Sequence, residues 1–390
     1  MKKDLMDLYI SNYASLRDKL PENVFVFNEA DGLFKDRLIS LVEIIGAGRV
    51  FIVSGLPDEA FSFDFLNEAG ISFDVFKGFS PNPRIEEIES GIDKINQYCA
   101  DVIVGFGGGS AIDTAKCIRK FCVRDRVPMI SIPTTAGTGS EATRFAVFYK
   151  DGVKQSLDDE DVMPDYVILC GGFLKTLPIY QRKCTFLDAF CQAAESACSR
   201  RRTALSIGHS FTALSAMCPF MYEYLKDGGP EAFSGESPEN IPDIFTYYLL
   251  CSYFAGRAIN ITRTTAPHAM SYKLSELKRI PHGHAVALTF AFNFEEIFKA
   301  EKQVLSADKE NDLPVILEKI AEVSFKTSAA KFPDAFRSFL ADIGIEEPMI
   351  SAEEAEKLAL AVNVDRLSNN AVKLTNEKIK EFYLRLGRDA

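Results

Sequence analysis

The chain has 390 residues, 47% hydrophobic and 25% charged, a balance that excludes wholesale disorder and suits two or three domains at about 150 residues each. Its 44 basic and 55 acidic residues leave a formal net charge of −11 with no long Lys/Arg run to offset it, so nucleic acid is not an expected partner. The opening Met1-Lys2-Lys3-Asp4-Leu5-Met6-Asp7 turns charged before a signal-peptide core forms, and no uncharged apolar run approaches the roughly 18–20 residues of a membrane span. Nine cysteines without CxxC spacing suit a reducing compartment, so a cytoplasmic protein with no membrane partner is expected.

The first predicted element is a strand over 49–54 (RVFIVS), ending at Gly55. A helix over 84–99 follows, with Ile85, Ile88, Ile92 and Ile95 at helical spacing. Strands are predicted over 101–105, running into a glycine cluster, and over 129–132, stopped by Pro133. This alternation implies a parallel sheet covered by helices. Segments 146–149 and 153–157 flank Lys150-Asp151-Gly152, a hairpin signal. Beyond 182 the pattern becomes helical over 187–201, 241–261, 285–298, 313–323, 335–343, 352–361 and 376–386. The expected architecture is an α/β Rossmann-like nucleotide-binding domain over 1–182 and an all-α domain over 183–390.

Gly105-Phe106-Gly107-Gly108-Gly109-Ser110-Ala111-Ile112-Asp113 joins a strand to a helix. Ser110 is expected to cap that helix, with Asp113 as the acidic half of a capping-box-like pair. Without Cβ atoms, Gly107, Gly108 and Gly109 let a phosphate approach the backbone amides at the positive helix end. The pattern is neither G-x-G-x-x-G nor a P-loop, and a ligand-free tight turn is its plainer use. A second loop after a strand, Pro133-Thr134-Thr135-Ala136-Gly137-Thr138-Gly139-Ser140-Glu141, converges several hydroxyls. Two such loops at the ends of neighbouring parallel strands outline a nucleotide crevice.

Only four histidines occur, and His268, His282 and His284 fall within seventeen residues. Asp188 and Gln192 stand at i and i+4 on one helix face. With His268 and His282 they form a mixed oxygen–nitrogen set suited to one divalent ion, Fe(II) or Zn(II). Each also has an ordinary structural use, and spacing alone does not join residues 188 and 282.

The strings GGGSAIDTAK (107–116), PTTAGTGSE (133–141), LDAFCQAAE (187–195) and HAMSYKLSELKRIPHG (268–283) resemble the signature blocks of the iron-containing (group III) alcohol dehydrogenases, in the same order and at similar spacing. The resemblance covers nearly the whole chain and implies the fold shared with dehydroquinate synthase. It implies an NAD(P)-linked enzyme in which Gly107, Gly108, Gly109, Ser110 and Asp113 serve the diphosphate. Thr134, Thr135 and Thr138 would line the nicotinamide, and Lys154 matches a family lysine at the cofactor ribose. The implied metal ligands are Asp188, Gln192, His268 and His282; Asp188, His268, His282 and Tyr272 form the catalytic set. Two departures stand out: Gln192 replaces a usual histidine ligand, and Tyr272 replaces a histidine that commonly sits near the nicotinamide. Tyr272 either relays a proton or packs.

ATRFAVFYKDGVKQSLDDEDVMPD (142–165), ITRTTAPHAMSY (261–272), IPHGHAVAL (280–288) and NVDRLSNNAVKLTNE (363–377) are similar to the phosphonoacetaldehyde reductase branch of that family. That implies reduction of phosphonoacetaldehyde to 2-hydroxyethylphosphonate; the alternatives are another short aldehyde or a dehydroquinate synthase-like lyase that uses NAD transiently. A small anionic substrate needs fixed cations: Arg144 and Arg263 are the candidates, with His284 behind them, and ordinary salt bridges are the competing use of both arginines. Where NAD-preferring relatives often carry Asp, this chain has Gly55, which leaves room for a 2′-phosphate, so NADP(H) is the expected preference. A homodimer is the expected assembly.

Overall fold

The run Arg49–Ser54 carries Val50 and Ile52 toward one side and Phe51 and Val53 toward the other, all fully buried, as a strand covered on both faces requires. A computed structural model, describing residues 3–124, 126–226, 243–304, 312–362 and 367–386, makes this run β2 of a six-stranded sheet. Its companions are β1 (Val24–Phe27), β3 (Ser72–Phe76), β4 (Val102–Gly107), β5 (Met129–Pro133) and β8 (Tyr166–Cys170). The order is β1-β8-β5-β4-β2-β3, and every pairing is parallel. From β2 the chain steps outward to β3, then returns to β4 and proceeds to β5 and β8 on the other side. The direction therefore reverses between β2 and β4, where open α/β sheets bind ligands.

Helices α1 (Lys3–Arg17), α2 (Gly32–Ile45), α3 (Asp64–Glu68), α4 (Ile85–Tyr98) and α5 (Gly109–Phe121) accompany the sheet. Phe34, Leu38, Leu41 and Val42 of α2 cluster with Val50, Ile52, Val104 and Ile130 on one face. Ile88 and Ile95 of α4, with Ile112, Ala115 and Ile118 of α5, cluster with Phe51, Val53, Ile103 and Met129 on the other. Each fully buried aliphatic or aromatic side chain stabilises by about 1.5–3 kcal/mol, so these two layers hold the sheet. The hairpin joins β6 (Phe145–Lys150) to β7 (Val153–Asp158) through Asp151 and Gly152, whose φ values of +52° and +72° make the left-handed turn that Asp-Gly favours.

The chain divides into two compact units, Met1–Leu177 with Ala232–Gly256, and Pro178–Glu231 with Arg257–Ala390. The single boundary expected at 182/183 thus gives way to an interleaved one. Thr246, near the start of a helix over Ile244–Thr262, donates through its hydroxyl to the Phe27 carbonyl at 3.2 Å, tying that helix start to β1. Residues 241–242 of the expected 241–261 helix and 363–366 of the 363–377 string lie outside the described residues.

Among the described residues the second unit holds helices and no strand. In order they are α6 (Ile179–Cys198), α7 (Ala204–Met217), α8 (Met221–Tyr224), the last residues of α9 (Ile244–Thr262), α10 (Ala266–Lys278) and α11 (His282–Val304). Then come α12 (Leu313–Phe325), α13 (Phe332–Asp342), α14 (Ala352–Leu360) and α15 (Asn376–Arg385). From Phe186 to Cys198 every residue of α6 is buried, because the helix packs on α7 and α11. No helix among the described residues is long and apolar enough to cross a membrane.

Candidate active site

Gly107 closes β4 with φ +149°, and a Cβ there would lie 2.8 Å from that of Ala111, so only glycine fits. The same Cβ would be 3.9 Å from the Gly55 amide nitrogen, which puts the end of β2 beside the glycine loop. A Cβ on Gly108 would meet Thr135 at 3.5 Å, and one on Gly109 would meet the Thr138 hydroxyl at 2.8 Å. Thr134 N donates to the Gly107 carbonyl at 3.0 Å. The glycine and threonine loops therefore lie against each other at the carboxyl end of the sheet, with the N-terminus of α5 between them.

Two charged side chains of α5 fix this arrangement. Lys116, fully buried on α5, donates to the carbonyls of Ser140 and Thr143 at 2.6 Å and of Phe145 at 2.7 Å. Asp113 accepts from the Ser140 hydroxyl and, at 2.9 Å, from Val147 N. Burial raises the Asp113 carboxyl above its usual range despite the nearby Lys116 and Lys154 charges. Burial likewise pulls Lys116 down to about 8, and Asp113 and Glu141 oppose that pull. Glu141 is 2% exposed, its Oε1 has no hydrogen-bond partner among the described residues, and burial pushes its carboxyl up to about 7.

The second constellation lies within the helical unit. Asp188, Gln192 and Glu195 share one face of α6 at i, i+4 and i+7. His268 sits in the first turn of α10, and His282 opens α11. A Cβ on Gly283 would fall 1.9 Å from the Cys184 carbonyl oxygen and 3.1 Å from Asp188 Cβ. Glycine is required for α11 to come this close to α6, and that approach delivers His282 to the Asp188 carboxylate. His268 Nε2 lies 3.1 Å and His282 Nε2 3.9 Å from Asp188 Oδ1, and the ligand atoms of the three residues all lie within 4.8 Å of one another.

Glu195 orients this cluster. Its Oε1 meets His268 Nδ1 at 2.6 Å, while Oε2 accepts from Thr265 N at 2.7 Å and the Thr265 hydroxyl at 2.9 Å. Holding Nδ1 as the donor leaves Nε2 to face Asp188, the usual outer partner of a metal-binding imidazole. Burial opposes a charge on His268, yet Glu195 and Asp188 together push it up to about 9. Burial would raise Asp188, but its bond to His268, the charge of His282 and the Gln192 amide hold it below the usual carboxylate range. A compact carboxylate and two oriented imidazoles fit a divalent ion such as Fe(II) or Zn(II).

The other expected residues land as follows. Ser110 does not cap α5: the N-cap is Gly108, and the Ser110 hydroxyl donates to the Pro81 carbonyl. Asp113 makes no capping pair either, because Ser140 and Val147 occupy its carboxylate. Lys154 stands on β7, paired with Tyr149. Arg144 is bound by Asp158 at 2.8 Å and by Glu160, so it serves the hairpin rather than offering a clamp for an anion. His284 uses both ring nitrogens inside the helical unit, on the Tyr180 hydroxyl and the Glu346 carbonyl, each at 2.8 Å, so it too is removed from a substrate role. Arg263 is exposed at the end of α9 with φ +62°, five residues before His268. Tyr272 stacks on the His282 ring, centroids 5.4 Å apart and planes 2° from parallel. Glu195, Lys116, Glu141 and Gly283 were not singled out in the sequence. The i+7 spacing from Asp188 would have marked Glu195; the others carry no comparable local signal.

A glycine loop at a sheet's switch point and a two-histidine, one-carboxylate cluster, buried at Asp188 and His268 and partly exposed at His282, are the features of a metal-dependent, nucleotide-linked enzyme. Residues 36–170 match the domain described as iron-containing alcohol dehydrogenase, and 184–386 match the C-terminal domain of the Fe-containing alcohol dehydrogenase family. The chain belongs to the iron-containing alcohol dehydrogenase family, and so is an NAD(P)-linked alcohol or aldehyde oxidoreductase that uses a divalent metal. It is 29% identical to the sulfoacetaldehyde reductase of Bilophila wadsworthia over 302 residues, covering 72% of this chain and 73% of that one. It is 30% identical to the phosphonoacetaldehyde reductase of Streptomyces viridochromogenes over 214 residues, covering 49% and 51%. The fold matches the crystal structure of sulfoacetaldehyde reductase from Bifidobacterium kashiwanohense in complex with NAD+, at TM-score 0.77 and 22% identity, over 94% of this chain and 98% of that one.

Proposed function

We propose that the protein reduces a short aldehyde carrying a terminal anionic group, phosphonoacetaldehyde to 2-hydroxyethylphosphonate in the first instance, with NADPH accepted as hydride donor. The observation that carries the metal-dependent chemistry is the cluster of Asp188, His268 and His282 within 4.8 Å. A divalent ion bound there supplies Lewis-acid polarisation of the carbonyl oxygen, an effect of several kcal/mol on the barrier. Asp188 provides the anionic donor, and Glu195 keeps His268 in the tautomer that presents Nε2. Tyr272, stacked on His282, keeps that imidazole in plane, which favours its packing use over a proton relay. Backbone amides of Gly108, Gly109 and Ser110 at the head of α5 suit the cofactor diphosphate, with Thr134, Thr135 and Thr138 beside them.

Two named relatives that act on two-carbon aldehydes with an anionic head support the substrate class. Arg263 is the cation retained for it, carried on the turn that leads into the His268 helix. Gly55 supports NADP(H): a glycine at the end of β2 brings no side-chain carboxylate of its own to repel a 2′-phosphate. An aldehyde panel tests the reading, with phosphonoacetaldehyde, sulfoacetaldehyde and propanal assayed with both cofactors and added Fe(II) or Zn(II). The anionic aldehydes should lead in kcat/KM, and Arg263→Ala should cost them about 10–150-fold while sparing propanal. Equal loss on all three would make Arg263 structural.

A further inference from the structure

Gln192 stands where the family resemblance places a histidine ligand, and its own geometry assigns it another task. Its Nε2 donates to Asp188 Oδ1 at 3.2 Å, the same oxygen that His268 Nε2 and His282 Nε2 approach at 3.1 Å and 3.9 Å. An amide nitrogen has no lone pair to give a metal, and an amide oxygen turned toward the carboxylate would meet like charge. The side chain therefore presents its NH2 group to Asp188. Gln192 is 3% exposed, one helical turn beyond Asp188 on a fully buried stretch of α6; its Oε1 makes no hydrogen bond among the described residues and is the atom that would reach an ion if the amide turned over.

We infer that Gln192 is a positioning residue that holds the Asp188 carboxylate, and that this chain's metal centre has three protein ligands, Asp188, His268 and His282, rather than four. This rests on the metal-dependent reading above. A centre with three protein donors keeps more positions for substrate oxygens than a four-donor centre, the pattern of catalytic rather than structural sites. The exchange of imidazole for amide thus alters what the ion can hold besides protein.

The test is a crystal structure of the wild-type enzyme loaded with Zn(II), with calorimetric Zn(II) titrations of the wild type, Gln192→Met, Gln192→His and His268→Ala. The inference expects the Gln192 oxygen beyond bonding distance of the ion, with its amide nitrogen still on Asp188. Gln192→Met should lose no more than about tenfold in affinity, the low end for an outer partner, and Gln192→His should gain at least about tenfold by adding a fourth donor. A Gln192 oxygen at about 2.0–2.2 Å from Zn(II), or a Gln192→Met loss equal to that of His268→Ala, overturns it. Wild type that binds no Zn(II) at all overturns instead the metal-dependent reading on which it stands.

Discussion

The two units build their sites from different materials. In the sheet unit the site is backbone: glycines 107–109 and the threonine loop, held in place by Lys116 and Asp113, which spend themselves on carbonyls and amides of the chain. In the helical unit the site is side chains: Asp188, His268 and His282, projected from three rigid helices and oriented by Glu195. Both have glycines at close approaches, Gly107 and Gly109 in the sheet unit and Gly283 in the helical one, but Gly109 and Gly283 are not equally constrained. A methyl on Gly109 meets the Thr138 side chain, which can turn aside, whereas a methyl on Gly283 meets the Cys184 backbone carbonyl at 1.9 Å, which cannot. A loop site tolerates local error by shifting; a helix-borne site must be right when the helices pack.

This contrast predicts separable failures. The largest is His268→Ala: loss of the ion's contribution, about 4 kcal/mol, should lower kcat roughly a thousandfold while the NADPH Kd from fluorescence titration changes less than about twofold. Near-normal turnover in that variant would break the metal assignment. Gly283→Ala comes next. Forcing α11 off α6 should cost about 1–3 kcal/mol in urea unfolding and most of the Zn(II) affinity, whereas Gly109→Ala should weaken NADPH and leave Zn(II) binding unchanged. Glu195→Gln removes the carboxylate that orients His268, and should weaken Zn(II) by about 10–100-fold with the fold intact by circular dichroism.

Lys116→Met strips partners from three carbonyls, each worth about 1–3 kcal/mol when left buried and unpaired, so thermal stability and NADPH affinity should both fall. Lys116→Arg should recover neither fully, because its larger planar head does not fit the same three oxygens. The smallest effect is a pH dependence. Glu141 titrates near 7 in the folded chain and near 4.5 when exposed, so folding takes up a proton between those values. The stability it allows is fully present below about 4.5 and is lost as pH rises through 7. Glu141→Gln should flatten that fall, so its stability relative to wild type should be higher at pH 8 than at pH 5 in urea titrations.

The same contrast explains what the sequence disclosed. A backbone site is written as contiguous glycines between a strand and a helix, so β2, β4 and β5 and both loops were legible from local pattern. β1, β3 and β8, at four or five residues each, were not, and β5 at the same length was legible only through Pro133 and the threonine loop that follow it. The helical site spreads over ninety-five residues, and spacing offered no reason to join its parts; the family blocks did. An anionic substrate needs fixed cations, and Arg144 and His284 stand beside the threonine loop and His282 in the sequence. Sequence does not show that Asp158 and Glu160, or Tyr180 and the Glu346 carbonyl, already occupy them. The interleaved unit boundary escaped for a similar reason, since a helix starting near 244 gives no local sign that it belongs with the sheet.

The most direct test of the account is steady-state reduction of phosphonoacetaldehyde by protein stripped with a chelator, then reconstituted with Fe(II) or Zn(II), alongside NADPH binding in both forms. Stripping should lower kcat roughly a thousandfold, the ion should restore it, and NADPH affinity should stay within about twofold throughout. Full turnover by verified metal-free protein would contradict it.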